Sequence, residues 1–203
     1  MLIGSSIINQ LESFSSSSIS YLGVRGWSEL PHKHNKMKLK LCNLLQNFSF
    51  NRVIIQVPGN SLFPGILKDG HYHFLRDEIN LNYLITFISE FSQFIRNSAS
   101  NNVKIEVILP LIRRWKQKIC DKCLPYKQGP RKLRQVFSKL KPLKNEGITV
   151  IDIRKPVQRF FKLEHEQSII KSSIILYRHF VGKDGVHLRN DNISHFHEFL
   201  LQL

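Results

Sequence analysis

The sequence has few acidic residues, few cysteines and no long apolar run. Its 203 residues include fifteen Asp and Glu against thirty Lys and Arg, which gives a net charge of +15. Three cysteines are too few for a disulfide framework. No segment reaches the roughly 18 to 20 apolar residues that cross a membrane, so we expect no transmembrane helix. The N-terminus has neither a basic start nor a long apolar stretch, as a signal peptide would. We therefore expect an intracellular, cytoplasmic protein.

Cysteine and histidine offer only incomplete metal sites. Cys120 and Cys123 have the spacing of half a zinc site, but no second pair follows them. His71 and His73, on either side of Tyr72, are the other candidate ligand pair. We interpret the cysteines as reduced thiols in a basic loop, and we predict neither a metal ion nor any other cofactor.

The positive charge is concentrated in the segment 113–144, which holds twelve basic residues and one acidic residue. Such a block is typical of surfaces that bind polyanions. Aromatic side chains among the cations can stack on unpaired bases, so RNA or single-stranded DNA is a candidate partner. The candidate contact residues are Arg113, Arg114, Trp115, Lys116, Arg131, Lys132 and Arg134. The alternatives are a solvated insertion that keeps the protein soluble and an adapter for an anionic membrane surface.

Apolar periodicity predicts strands that alternate with helices. Strands are expected at 2–3, 19–24, 52–57, 103–109 and 148–153. Helices are expected at 5–14, 34–47, 78–99, 131–140 and 192–201. Segment 62–77 is predicted to be a loop, and the residues before Asp184 a linker. Short apolar strands in this alternation indicate a parallel sheet covered on both faces. The sequence therefore predicts one α/β domain, residues 1–203, with the basic block 113–144 as an insertion. Its expected architecture is a three-layer α/β/α sandwich with a mostly parallel, flavodoxin-like five-stranded sheet.

Small and polar residues follow three of the predicted strands. Ser6 comes after the first strand, Gly26 after the second and Asn60 after the third. In open parallel sheets the chemistry lies at the carboxyl ends of the strands, so these residues can meet. Each also has an ordinary explanation, because Ser6 can cap a helix, Gly26 can be a loop glycine and Asn60 can be a turn residue.

An acidic residue and a histidine precede the last predicted helix, in Asp184-Gly185-Val186-His187. An Asp three positions before a His can place its carboxylate beside an imidazole nitrogen. That arrangement makes the His a base, and a base suggests a nucleophile to activate. Ser6, at the other end of the chain, is the candidate nucleophile.

Four segments, taken in order, resemble the four blocks of the SGNH/GDSL-type esterases, and together they span nearly the whole chain. They are Gly4-Ser5-Ser6-Ile7, Val24-Arg25-Gly26-Trp27, Pro58-Gly59-Asn60-Ser61 and Asp184-Gly185-Val186-His187. The resemblance implies a serine hydrolase that cleaves a small-molecule carboxylic ester or acyl substrate. It assigns Ser6 as nucleophile, His187 as base and Asp184 as the group that orients the base. It also implies an oxyanion hole from the backbone N–H groups of Ser6 and Gly26 and the side-chain amide of Asn60. A finer resemblance is to the divergent esterase-like domains of some animal transposable-element proteins.

Two positions depart from the family pattern. Ser5 and Ser61 stand where the family usually has Asp, and each replacement removes a carboxylate. A catalytically weak or inactive module that binds nucleic acid through 113–144 is therefore the alternative function. Only three residues precede Gly4, whereas strands commonly have about five, so we expect the natural chain to begin further upstream. The sequence specifies neither the acyl group nor the oligomeric state.

Overall fold

The computed structural model describes residues 1–28, 30–63, 65–68, 71–74, 81–99, 102–110, 128–160 and 187–203. The contacts divide the chain into two compact units. Unit 1 comprises 1–62, 79–110 and 136–151, and unit 2 comprises 63–78, 111–135 and 152–203. The single domain expected from the sequence stays a prediction.

The strands in chain order are β1 (Leu2–Gly4), β2 (Tyr21–Gly23), β3 (Arg52–Gln56), β4 (Gly65–Lys68), β5 (His71–Phe74), β6 (Lys104–Ile108) and β7 (Ile148–Ile151). Unit 1 is built on a five-stranded sheet in the order β2-β1-β3-β6-β7, and every neighbouring pair in it is parallel. If its strands are numbered by themselves, the order is 2-1-3-4-5, the flavodoxin-like arrangement. The α/β class and the parallel five-stranded sheet are thus confirmed.

The helices are α1 (Ser6–Gln10), α2 (Pro31–Asn47), α3 (Gly59–Leu62), α4 (Leu81–Ser98), α5 (Gln128–Leu140), α6 (Arg154–Phe160) and α7 (Ile193–Leu201). Short 3₁₀ helices cover Glu12–Phe14, Lys141–Glu146 and Asn190–Asn192. Helices flank the sheet, which confirms the expected three-layer α/β arrangement. Among the helices that the structure describes, none is both long and apolar enough to cross a membrane.

Three local predictions were wrong. The expected loop 62–77 contains the antiparallel hairpin of β4 and β5. The Asp69-Gly70 dipeptide between these strands is a strong hairpin-turn signal. The expected linker before Asp184 begins with helix α6. The first helix ends at Gln10 rather than Phe14, because the Leu11 N–H bonds to the Ile8 carbonyl at 3.0 Å and the chain tightens into a 3₁₀ turn.

The strand order determines which helices share a face of the sheet in unit 1. The step from β1 to β2 runs in one direction along the sheet, whereas the steps to β3 and β6 run in the other. Since parallel crossovers are right-handed, α1 covers one face and α2 and α4 cover the opposite face. Ring contacts between α2 and α4 agree with this arrangement, since His34 lies 4.7 Å from Phe87 between ring centroids.

The outer edge of β2 is covered by the segment that follows α1. Glu12 Oε1 accepts a hydrogen bond from the Gly23 N–H at 2.9 Å, and Ser15 Oγ accepts one from the Tyr21 N–H at 3.0 Å. Edge strands otherwise present such donors to solvent or to other chains. Two side chains therefore satisfy the N–H donors on the outer edge of this strand.

A buried carboxylate lies toward the amino ends of two central strands. Glu106 of β6 is 3% exposed and receives Lys104 Nζ on Oε1 at 2.7 Å. Arg52 of β3 donates from Nε to Glu106 Oε2 at 2.6 Å and also forms an ion pair through Nη2. Two cations thus compensate the one buried negative charge, as a buried carboxylate requires.

Helix α1 lies directly on the carboxyl end of β2. A Cβ atom on Gly23 would overlap the backbone N and Cα of Asn9 and would lie 2.5 Å from its Cβ. A Cβ on Gly4, the residue paired with Gly23, would overlap Ile8 and would lie 3.0 Å from Gln56 Oε1. These strand ends therefore accept only glycine, and the close packing sets the height of α1 above the sheet.

We expect Gly23→Ala to destabilise the protein by about 1–3 kcal/mol, because a methyl group there overpacks a backbone contact. Urea unfolding midpoints measure the effect. Since the overlap is with backbone atoms, Gly23→Ala should cost as much in an Asn9→Ala background as in the wild-type chain. An unchanged midpoint for Gly23→Ala would contradict the close packing.

Candidate active site

The turn after β2 is shaped by Gly26. The Trp27 N–H donates to the Val24 carbonyl at 3.0 Å, which closes a four-residue turn. Gly26 is the third residue of that turn and has a φ of 68°. A positive φ at this position strongly favours glycine. The turn therefore explains why the second block needs glycine on conformational grounds alone.

Trp27 anchors this turn in the core. Its side chain is fully buried, and its ring lies 5.3 Å from Phe91 and 5.9 Å from Phe87, between centroids. His34 packs against the same two phenylalanines of α4. The aromatic cluster of these four residues holds the turn against α2 and α4, so the Gly26 backbone has a defined position.

Asn60 follows β3 and lies close to Gly26. It is the second residue of the short helix α3, which begins directly after Pro58. A Cβ atom built on Gly26 would be 3.9 Å from Asn60 Nδ2. The structure therefore brings together two of the three predicted oxyanion-hole residues, although they are 34 positions apart in the sequence.

Ser6 lies at the carboxyl end of β1, the strand between β2 and β3. It is the first residue of α1, is half-buried, and follows the N-cap position Ser5. The first N–H groups of a helix have no acceptor within it, so the Ser6 N–H belongs to a class of donors that can bind an anion. After β1 the chain adds β2 on one side of it and β3 on the other, so the strand order reverses at β1. Ligands in this fold class bind at such switch points. The Ser6 position therefore agrees with the strand-end prediction.

The remaining predicted triad residues are in unit 2. His187 is half-buried and comes directly before Leu188, which is buried. Asp184 lies outside the described residues. The assignment of Ser6, His187 and Asp184 as a triad stays a prediction.

The predicted nucleic-acid contacts are described only in part. Arg113, Arg114, Trp115 and Lys116 lie outside the described residues. Arg131 and Arg134 are exposed on α5. Lys132 is half-buried, and its Nζ lies 5.7 Å from the centroid of the Phe63 ring, at cation–π distance.

Metal-ligating groups do not cluster in the part of the chain that the structure describes. No group of three His, Cys, Asp or Glu side chains there could hold an ion. Cys42 is a free thiol, whereas Cys120 and Cys123 lie outside the described residues.

Two polar residues beside the strand ends were missed by sequence reasoning. Lys33 of α2 reaches the Gly26 turn, since its Nζ would be 3.8 Å from a Cβ atom on Gly26. Gln56, the last residue of β3, is 1% exposed, and its Nε2 has no hydrogen-bond partner among the described residues. A polar residue within an apolar strand was a usable signal for Gln56. Lys33 gave none, because α2 carries several lysines.

No protein-family model matches the chain, and no curated protein is significantly similar to it.

The half-buried imidazole of His34 predicts acid sensitivity. Burial, with a smaller effect of the Lys38 ammonium, lowers the pKa of His34 from 6.5 to about 4. Between these values the unfolded chain binds a proton at His34 that the folded protein does not. The free energy of unfolding should therefore fall as the pH is lowered from about 6.5 towards 4.

Urea unfolding at pH 7.5 and at pH 5 measures this loss. The decline should be smaller in His34→Phe, which keeps an aromatic ring but cannot be protonated. His32→Phe, on the exposed side of the same helix, should decline like the wild-type protein. Equal declines in His34→Phe and wild type would refute the assignment to His34.

Proposed function

We propose that this protein is a serine esterase or acyl hydrolase of the SGNH/GDSL type, with Ser6 as the nucleophile. The observation that supports this most directly is the proximity of the Gly26 backbone and the Asn60 side-chain amide. They lie at the carboxyl ends of the strands on either side of β1, which leads into Ser6. Three residues that are distant in the sequence thus gather at one end of one sheet, where this fold class binds its ligands.

The proposed reaction has two acyl-transfer steps. Ser6 Oγ attacks the carbonyl carbon of the ester while His187 accepts the hydroxyl proton, and Asp184 holds the imidazole in the required tautomer. The tetrahedral intermediate then collapses, and the alcohol leaves with the proton from His187. A water molecule attacks the resulting acyl-Ser6 by the same route and releases the carboxylic acid.

The oxyanion of each tetrahedral intermediate requires donors that are already in place. In the proposed site these are the backbone N–H groups of Ser6 and Gly26 and the Nδ2 group of Asn60. The hydrogen-bonded turn and the buried Trp27 hold the Gly26 backbone in place, so little reorganisation is needed when charge develops. The departures at Ser5 and Ser61 leave hydroxyl groups there that can still form local hydrogen bonds.

Ser6→Ala should abolish hydrolysis of a short p-nitrophenyl ester and labelling by a fluorophosphonate probe, because both require the hydroxyl nucleophile. Asn60→Ala should lower kcat by about 10²- to 10³-fold, as loss of one oxyanion donor typically does. Both variants are measured by steady-state kinetics on the purified full chain.

Ser18→Ala serves as the matched control, since Ser18 is an exposed serine in the loop after α1. It should hydrolyse the ester at the wild-type rate. Retention of full activity and labelling in Ser6→Ala would exclude the proposed nucleophile.

A second candidate function is nucleic-acid binding through the basic segment. The supporting observation is the charge of its described part, since α5 and the 3₁₀ helix after it carry exposed cations. These are Arg131, Arg134, Lys139, Lys141 and Lys144. No acidic residue occurs between Gln128 and Asn145. This function is compatible with hydrolysis, because the two use different residues.

The double variant Arg131→Gln, Arg134→Gln should weaken binding to a single-stranded RNA oligonucleotide and lower the slope of log K against log salt by about one. Fluorescence anisotropy at several salt concentrations measures both quantities. Lys36→Gln, Lys40→Gln removes the same charge from exposed positions on α2 and should have a smaller effect. An unchanged salt slope in the α5 variant would argue against this interface.

A further inference from the structure

We propose that Lys33 adds a positive charge to the site formed by the Gly26 backbone and the Asn60 side chain, and that its ammonium contacts the tetrahedral oxyanion directly. This inference rests on the proposed esterase site and adds a charged group to the neutral donors there. The classes of ligand it identifies are the anionic tetrahedral intermediate of acyl transfer and stable tetrahedral anions of the same shape.

The first argument is distance. A single point above the Gly26 Cα, the place of a Cβ atom, would be 3.8 Å from Lys33 Nζ and 3.9 Å from Asn60 Nδ2. An ammonium and an amide therefore border the same small volume next to the Gly26 backbone. Since position 26 is glycine, no side chain stands between these two groups and the Gly26 backbone, so a ligand can approach that backbone closely.

The second argument is charge. Lys33 is in the first turn of α2, a 17-residue helix whose first turn contains no acidic residue. The amino end of a helix carries partial positive charge, so acidic residues are favoured there and a lysine is unfavourable. No carboxylate of the described residues forms an ion pair with Lys33. The exposed Arg25, next to Gly26, adds to the positive potential.

The third argument is the chemistry of the reaction. A neutral ester has no net charge on its carbonyl oxygen in the ground state, whereas the tetrahedral intermediate carries a full negative charge. A cation at that oxygen stabilises the transition state more than the bound ester, so it raises kcat rather than lowering KM. Lys33 would thereby strengthen a site in which the family carboxylates at positions 5 and 61 are replaced by serine.

The experiment compares Lys33→Met, which keeps most of the length of the unbranched side chain and removes the charge, with Lys33→Arg and Lys40→Met. Lys40 is exposed two turns further along α2 and is the matched control. With p-nitrophenyl acetate, Lys33→Met should lower kcat by about tenfold or more and leave KM nearly unchanged. Lys33→Arg should recover much of the loss, and Lys40→Met should match the wild-type enzyme.

A second readout does not depend on turnover. Methylphosphonate, a tetrahedral anion, is titrated into the full chain while the NMR shift of the Gly26 amide is followed. Wild type and Ser6→Ala should bind it, and Lys33→Met should bind it about tenfold more weakly or worse. Equal binding by Lys33→Met and wild type, or no response at Gly26 in the wild-type protein, overturns the proposal.

The two readouts separate this inference from the proposed function. If ester hydrolysis requires Ser6, and neither hydrolysis nor methylphosphonate binding changes in Lys33→Met, the esterase proposal holds and the proposed role of Lys33 is wrong. If the protein has no esterase activity but binds methylphosphonate in a way that requires Lys33, the esterase proposal is wrong and the anion site is supported.

Discussion

The carboxyl ends of β1 and β2 depend on the close packing of α1 against two glycines. Because Gly23 has no Cβ, the α1 backbone at Asn9 lies directly on the end of β2, and because Gly4 has none, the Ile8 side chain packs directly on the end of β1. This packing determines where Ser6, the first residue of α1, stands relative to the neighbouring strand ends. A side chain at Gly23 would push the α1 backbone, and Ser6 with it, away from the strand ends.

Charge is distributed unequally along the sheet. Towards the amino ends of β3 and β6, the buried carboxylate of Glu106 is compensated by Arg52 and Lys104. At the carboxyl ends, Lys33 stands beside Gly26 without such a match among the described carboxylates. The first arrangement compensates a buried charge, whereas Lys33 is the charged group of the proposed anion site.

The sequence predicted the sheet well because its strands are short apolar runs between helices of clear periodicity, a pattern with few alternatives. It failed for β4 and β5 and for α6, whose residues mix polar and apolar side chains without a decisive period. Gly26 and Asn60 could be found because strand ends are visible in a sequence. Lys33 could not, since its role comes from a tertiary contact across more than one element. It is one of four lysines on α2, with Lys36, Lys38 and Lys40, and the sequence does not distinguish it from the others.

The hydrogen bonds that Glu12 and Ser15 accept from β2 also bear on how this protein behaves at high concentration. A foreign strand could join the sheet on that flank only by displacing both acceptors, one of which is a charged carboxylate. Lateral growth into a fibril-like ribbon is therefore opposed at this flank by the native fold itself. The side chains of Glu12 and Ser15 therefore oppose self-association at this edge of the sheet.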